Sequence, residues 1–449
     1  MEATIDTKKV RSWKRYEDLR DFEVEWLGKV PAHWETRRLT TVCDFASGKA
    51  HEPYVEEGAK YVCVNSRFVS TGGATRKYCT ENLSPARKND ILMVMSDLPN
   101  GRALAKAFFV EEDDLYAVNQ RVCIITPEKA QHSRFLYYLL DRNPVFLRFD
   151  DGFNQTHLSN AVFTKFPLLI PPLAEQRAIV AFLDRETARI DALIGHKERL
   201  IALLEEKRQA VITHAVIRGL NPRAKMKSSK VPWLGEIPDH WQVAPLKHAV
   251  LFQEGPGLRQ WQFTSDGIRV ICVTNITEAG IDFSTYQKFI SENEYEQHYR
   301  HFTVRKGDLL LSSSGNSWGK VAEYQDDTPV ILNTSTIRVY QNRQAMYRRP
   351  LIKWTLQSVA TREQLELMMT GSCQPNFGPS HLANVLVAIP PVDEQSEIAQ
   401  YLDEKTQGFS DLKLRVLSGI QRLQEYRSAL ISAAVTGQID VCEEVLLND

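Results

Sequence analysis

Paired cysteines are missing from this sequence. Its seven cysteines are scattered, and none stands in a Cys-x-x-Cys pair. That argues against a disulfide framework or a thiolate zinc site and fits the reduced thiols of a cytoplasm. Long apolar runs are also missing: no stretch reaches the roughly 18 apolar residues of a membrane span. The N-terminus, Met1 to Lys9, has no apolar core, so no secretory signal is expected. An excess of charge is lacking too. The net charge is -1, whereas a free-standing nucleic-acid binder tends to be basic throughout. The charge is uneven, however. Residues 392–449 hold 5 Lys/Arg against 11 Asp/Glu, which leaves the rest of the chain at +5. Local basic faces therefore remain available.

Several catalytic signatures fail as well. An enzyme that methylates an amine needs a polar residue before Pro-Pro-aromatic, to accept from the target amine. Here Ile170 and Ile389 precede the prolines, and Leu173 and Val392 stand beyond them. A phosphate-binding loop needs Gly-x-x-x-x-Gly-Lys-Ser/Thr. Gly315-Asn316-Ser317-Trp318-Gly319-Lys320-Val321 is one residue short and lacks the magnesium-binding hydroxyl. His298 and His301 stand three apart, but no cysteine or carboxylate cluster completes a metal set. No catalytic residue and no metal site is expected. His33 and His240, each beside a tryptophan, read as packing and hydrogen-bonding residues of a turn.

What is present is a repeat, the first thing to seek in a chain of 449 residues, long enough for about three folding units. Val24-Glu25-Trp26-Leu27-Gly28, then Pro31 and His33-Trp34, open one half. Val231-Pro232-Trp233-Leu234-Gly235, then Pro238 and His240-Trp241, open the other, 207 residues on. Arg87-Lys88-Asn89-Asp90-Ile91-Leu92 returns as Arg305-Lys306-Gly307-Asp308-Leu309-Leu310. Ile170-Pro171-Pro172-Leu173-Ala174-Glu175-Gln176 returns as Ile389-Pro390-Pro391-Val392-Asp393-Glu394-Gln395, at an offset of 219. The ends of each unit match and the middles diverge. Two similar scaffolds carrying two different surfaces are expected.

After each Pro-Pro the pattern is that of a long helix, since proline is tolerated just before a helix begins. Heptad positions fall at Leu183, Ile190, Lys197, Leu204 and Val211, and again at Leu402, Phe409, Val416, Leu423 and Leu430. An intervening stripe holds Leu193 and Leu200 in one helix and Leu412 and Tyr426 in the other. This spacing predicts coiled-coil-like packing of two helices, each about 60 Å long at 1.5 Å per residue. The expected fold is mixed α/β: two similar globular domains joined by two long antiparallel helices about a pseudo-twofold axis, with the domains at opposite ends of the helical spacer. The expected boundaries are an N-terminal extension 1–23, a first domain 24–172, a long helix 173–218, a basic exposed linker 219–230, a second domain 231–391, a second long helix 392–436 and an acidic tail 437–449. Lys60–Val64, Arg269–Val273, Asp90–Met95 and Asp308–Leu311 read as strands, and Ser133–Leu140 as a helix.

Both repeated motifs, in order and each followed by a long helix, resemble those of specificity subunits of type I restriction-modification enzymes, over roughly residues 24–436. The resemblance implies a DNA-binding subunit with no catalytic centre of its own. Each globular domain would be a target-recognition domain reading one half of an asymmetric bipartite DNA site, with half-sites about 10 bp apart centre to centre and a gap set by helix register. Two methyltransferase subunits would bring S-adenosylmethionine and adenine N6 chemistry. Restriction subunits would add ATP- and magnesium-dependent translocation and cleavage. A fused enzyme with degenerate motifs, and a scaffold whose two heads bind proteins, are the alternatives.

Base edges are read by Arg or Lys at guanine and by Asn or Gln at adenine, while hydroxyls and cations hold phosphates. Loops at strand ends are natural carriers. In the first domain this selects Ser47, Gly48, Lys49, Asn65, Ser66, Arg67, Asn100, Arg102, Asn119, Gln120, Arg121, Asn154 and Gln155. In the second it selects Arg259, Gln260, Thr274, Asn275, Ser312, Ser313, Ser314, Asn316, Lys320, Asn333, Thr334 and Ser335. For partner docking the repeated Glu175, Gln176, Glu394 and Gln395 are candidates. Capping of the long helices by those acids is an equally good reading.

Overall fold

The computed structural model describes residues 13–22, 28–96, 103–147, 158, 167–341, 347, 349–369 and 376–442. The chain divides into two compact units. One comprises residues 1–196 and 419–449, the other residues 197–418. Each contains a β-rich head and a half of each of two long helices, Leu173–Arg218 and Val392–Val435.

In the first unit an antiparallel four-stranded sheet runs in the order Cys43–Ser47, Val122–Pro127, Ile91–Val94, Ala107–Phe109. A second sheet has the order Tyr78–Cys79, Tyr61–Val64, Tyr116–Val118, and its last two strands are parallel. The other unit repeats this plan. Its four-stranded sheet is Val250–Glu254, Thr336–Gln341, Leu309–Ser312, Val321–Glu323. Its second sheet is Lys288–Ile290, Ile268–Ile271, Val330–Leu332, Thr303–Val304, with the central pair parallel. The middles that diverge in sequence thus share strand order and direction. Ile91–Val94 and Leu309–Ser312 are buried at every position. Burial on both faces fixes apolar character without fixing residue identity.

The repeated Arg-Lys-Asn-Asp and Arg-Lys-Gly-Asp segments are turns into those central strands. Asn89 and Gly307 both take positive φ, 73° and 89°, a conformation that Asn and Gly tolerate. Asp90 Oδ2 accepts from the Arg87 N–H at 2.7 Å, and Asp308 Oδ2 from the Arg305 N–H at 2.9 Å. Burial raises the Asp90 carboxyl pKa above its ordinary value, against the opposing hydrogen bonds from the Arg87 N–H and the Thr126 hydroxyl.

Two boundaries differ from the expected ones. Met226–Ser228, inside the expected linker, is a strand paired with Glu236–Pro238. Leu19–Asp21, inside the expected extension, pairs in the same way with Lys29–Pro31. Residues 19–21 of the extension thus have a counterpart in residues 226–228, a three-residue strand too short for its pattern to register in sequence. The start of the acidic tail is also structural. The Asp440 N–H donates to the Lys14 carbonyl, and Ile439 and Val441 join the first head's core. Gly219 and Gly437, at the ends of the two long helices, lie against the indoles of Trp241 and Trp34. Each helix therefore starts in one unit and ends in the other.

The helices run antiparallel. Asp191 pairs with Arg427 at 3.0 Å in the first unit and Glu205 with Lys413 at 3.5 Å in the second, so an advance along one helix matches an equal retreat along the other. The heptad residues divide by position. Leu183, Ile190 and Leu430 enter the first head's core, and Leu402 enters the second's. Val416 is buried, while Leu204, Val211, Phe409 and Leu423 are half-buried. The intervening stripe is largely open: Leu193, Leu200 and Leu412 are exposed, and Tyr426 packs on the first head's core. The stripe expected to complete a coiled-coil seam is thus largely open, while the ends of each helix bury their apolar faces in the heads.

Candidate nucleic-acid interface

In the first head, one edge gathers most of the selected loop residues. The parallel strands Tyr61–Val64 and Tyr116–Val118 end side by side, and the Asn119 N–H donates to the Val64 carbonyl at 3.0 Å. The Ser47–Lys49 loop folds over the same edge: Gly48 N–H donates to Val122 O and Lys49 N–H to Val118 O, both at 3.0 Å. The approach at Gly48 is so close that a Cβ would lie 2.2 Å from the Asn119 carbonyl oxygen. Lys49, Arg67 and Gln120 are exposed there, and Ser66 and Arg121 half-exposed.

Two asparagines at this edge are already engaged. Asn65 caps the short helix Ser66–Ser70 by accepting from the Phe68 N–H at 2.9 Å. Asn119 Nδ2 donates to Glu52 Oε1 at 2.9 Å, which is the chief reason the Glu52 carboxyl lies below its ordinary pKa. Asn100, Arg102, Asn154 and Gln155 lie outside the described residues.

The second head builds the corresponding edge from other residues. The loop after Val250–Glu254 turns at Gly255, whose N–H donates to Thr336 O at 3.0 Å and whose Cβ would stand 2.2 Å from the Asn333 carbonyl oxygen. Thr334 Oγ1 donates to Pro256 O at 3.1 Å, and the Ser313 N–H to Ser335 O at 2.9 Å. Arg259, Gln260, Thr274, Asn316 and Thr334 are exposed; Ser314, Lys320, Asn333 and Ser335 are half-exposed. Three selected residues are instead interior. Asn275 is fully buried: its Oδ1 accepts from the Cys272 N–H, and its Nδ2 donates to Asp282 O and Tyr286 O. Ser312 and Ser313 are likewise buried. These three support the edge and present no free surface to a base, because a short polar side chain at a strand end is as useful for closing the backbone as for reading DNA.

The repeated motifs form one lock per unit. Trp34 Nε1 donates to Glu175 Oε1 at 3.0 Å, and His33 Nε2 pairs with Glu175 Oε2 at 2.9 Å. Trp241 Nε1 donates to Glu394 Oε2 at 3.0 Å, and His240 Nε2 pairs with Glu394 Oε1 at 2.5 Å. Both indoles are buried. Tyr16 adds a hydroxyl donor to Glu175. Its own burial and that carboxylate push the phenol pKa far above its ordinary value, so it stays protonated. The neighbouring glutamines face inward. Gln176 Nε2 donates to Pro171 O and Gln395 Nε2 to Pro390 O, at 2.9 and 2.8 Å, and each residue is 1% exposed. In this structure the glutamates tie the start of each long helix to its head and the glutamines close the Pro-Pro turn, contacts that leave Glu175 and Glu394 half-exposed.

Among the described residues no group of three or more His, Cys, Asp or Glu could hold a metal ion, and no helix is long and apolar enough to cross a membrane. The family model for the type I restriction modification DNA specificity domain matches residues 31–202. The chain is 22% identical to the type I restriction enzyme MjaVIII specificity subunit of Methanocaldococcus jannaschii, over 92% of this chain and 94% of that one. It is 24% identical to the EcoBI specificity subunit of Escherichia coli, over 72% and 69% respectively. Its fold is similar to that of a chain in a solved type I restriction-modification assembly, with a TM-score of 0.64 at 14% identity, covering 91% of this chain and 99% of the other. This chain belongs to the type I specificity subunits.

It is the DNA-specificity component of such an enzyme and not its catalytic chain. Within this specificity subunit, Gly255 escaped the reading of the sequence. Its signal was available: Gly48 shifted by the 207-residue offset of the opening motifs falls on it. The Trp–Glu–His lock was also visible only as two separate repeated motifs, because 141 residues separate Trp34 from Glu175 along the chain.

Proposed function

We propose that this specificity subunit reads an asymmetric bipartite DNA site, one half with each head. One observation carries the reading. Two heads of the same frame present the same edge, and that edge is built from Lys49, Arg67 and Gln120 in one and from Arg259, Gln260 and Asn316 in the other. A shared frame with unlike donors is what recognition of two unlike half-sites requires. The assembly this reading implies has two methyltransferase subunits supplying S-adenosylmethionine and adenine N6 chemistry, restriction subunits using ATP and magnesium, and action in the cytoplasm. Exposed apolar residues on the long helices, such as Leu414 at 65% and Leu203 at 55%, support the docking of further subunits there.

The test is genome-wide adenine methylation by single-molecule sequencing in cells with and without the gene. Loss of one asymmetric bipartite motif on deletion is expected and would give the target sequence. An unchanged set of bipartite motifs, with the gene and its methyltransferase expressed, would overturn the reading.

A further inference from the structure

Trp261 is 79% exposed, an unusual position for an indole, since tryptophan is largely buried on average. It sits in the single turn Gln260–Gln262, and the residues around it are fixed. Gln262 is buried: its Oε1 accepts from the Arg259 N–H at 2.8 Å, and its Nε2 donates to the Tyr299 hydroxyl at 2.8 Å and to Glu294. Leu258 and Phe263, on either side, pack into a core cluster. The turn is thus anchored at both ends while the ring between them is held in water. Surface drift would explain one exposed ring, but the first head carries a second. Shifted by the 207-residue offset, Trp261 falls on Tyr54, which is 37% exposed in the single turn Glu52–Tyr54.

That turn is anchored too, by other means. His51 is fully buried; its Nε2 accepts from the Leu83 N–H at 3.0 Å, so its Nδ1 carries the proton and donates to Lys49 O at 2.7 Å. Glu52 is tied to Asn119. The turn bearing Tyr54 is hydrogen-bonded to the recognition edge through Glu52 and Asn119, and the loop leading into the turn that bears Trp261 is bonded to it through Thr334 and Pro256. The anchors differ, and at the matching position each head holds an exposed aromatic ring near the polar readers, Trp261 far more open than Tyr54.

We propose that Trp261 and Tyr54 are DNA contacts, each ring packing on a base or deoxyribose face of the half-site its own head reads. The inference rests on the bipartite reading above and adds an apolar contact to it. An exposed ring on a pre-set turn suits the role, because apolar side chains beside polar readers pack against base steps and partly unstack them. The ring carries no charge, so its contribution is insensitive to salt, unlike that of Arg259 beside it.

The experiment uses the full chain assembled with its methyltransferase, and duplexes carrying either the motif methylated in cells or a scrambled sequence. Trp261→Ala should weaken binding to the motif duplex about tenfold or more, the range seen for lost base–aromatic contacts, with an unchanged salt slope. Trp261→Phe should recover most of the affinity. Base substitutions in one half-site should lose only part of their effect in Trp261→Ala, and those in the other half-site only part in Tyr54→Ala, because the polar readers remain. The proposal is overturned if both alanine variants bind the motif duplex within about twofold of wild type, well below the loss expected of a ring contact. It is equally overturned if they lose the methyltransferase and not the DNA, which would make the rings protein contacts. If the wild-type assembly itself does not prefer the motif duplex, the bipartite reading fails, and the ring proposal with it.

Discussion

Glu394 shows how a single carboxylate can hold a domain to a helix. It accepts from the buried Trp241 indole and from His240, so both of its oxygens are used. Replacing it by Ala leaves the indole N–H buried without its acceptor, which costs about 1–3 kcal/mol. Glu394→Ala should therefore lower the melting temperature by several degrees while the methyltransferase is still captured in a pull-down. An unchanged melting temperature with lost capture would return Glu394 to a docking role. The recognition edges give a second contrast at this scale. Arg67 and Asn316 are exposed beside the engaged asparagines. Arg67→Ala or Asn316→Ala should weaken binding to the cognate duplex by about 1–3 kcal/mol and leave random DNA nearly unaffected, if each reads a base edge. Equal loss on both duplexes, measured at one salt concentration, would make the residue a phosphate contact.

Along the long helices, the same residue type serves two purposes. Leu402 is fully buried in the second head's core, whereas Leu414, on the same helix, is 65% exposed. Leu402→Ala should destabilise the chain by about 2–5 kcal/mol, as removal of a core leucine does. Leu414→Ala should change stability by no more than about 0.5 kcal/mol. Urea unfolding of the two variants checks this; similar midpoints would show that the exposed stripe is covered within the chain. The ion pairs Asp191–Arg427 and Glu205–Lys413 are partly exposed and worth only about 0–1 kcal/mol each, so they fix register more than they add stability. Heptad spacing made the helices legible, since their period of apolar positions survives in sequence. It could not show which positions a head covers, and so the second stripe was assigned to a seam when its leucines are open.

At the scale of the molecule, duplication separates frame from reader. If each head reads its own half-site, replacing residues 43–127, which hold the first head's two sheets, by the equivalent segment of another specificity subunit should change one half of the methylated motif and leave the other half intact. Methylation mapping of cells carrying the chimaera checks this, and a change in both halves would show that the heads do not read independently. By itself the sequence determined the repeat, the long helices, the mixed α/β class and the family, because each depends on residue patterns that recur along the chain: an apolar period, a turn requiring Asn or Gly, a Pro-Pro before a helix. Only the tertiary structure decided that Asn275, Ser312 and Ser313 are interior, that Glu175 and Glu394 bind their own heads, and that Gly48 and Gly255 occupy the same close approach. A polar side chain at a strand end looks the same in sequence whether it faces a base or closes the backbone. Which it does depends on partners brought to it from distant parts of the chain.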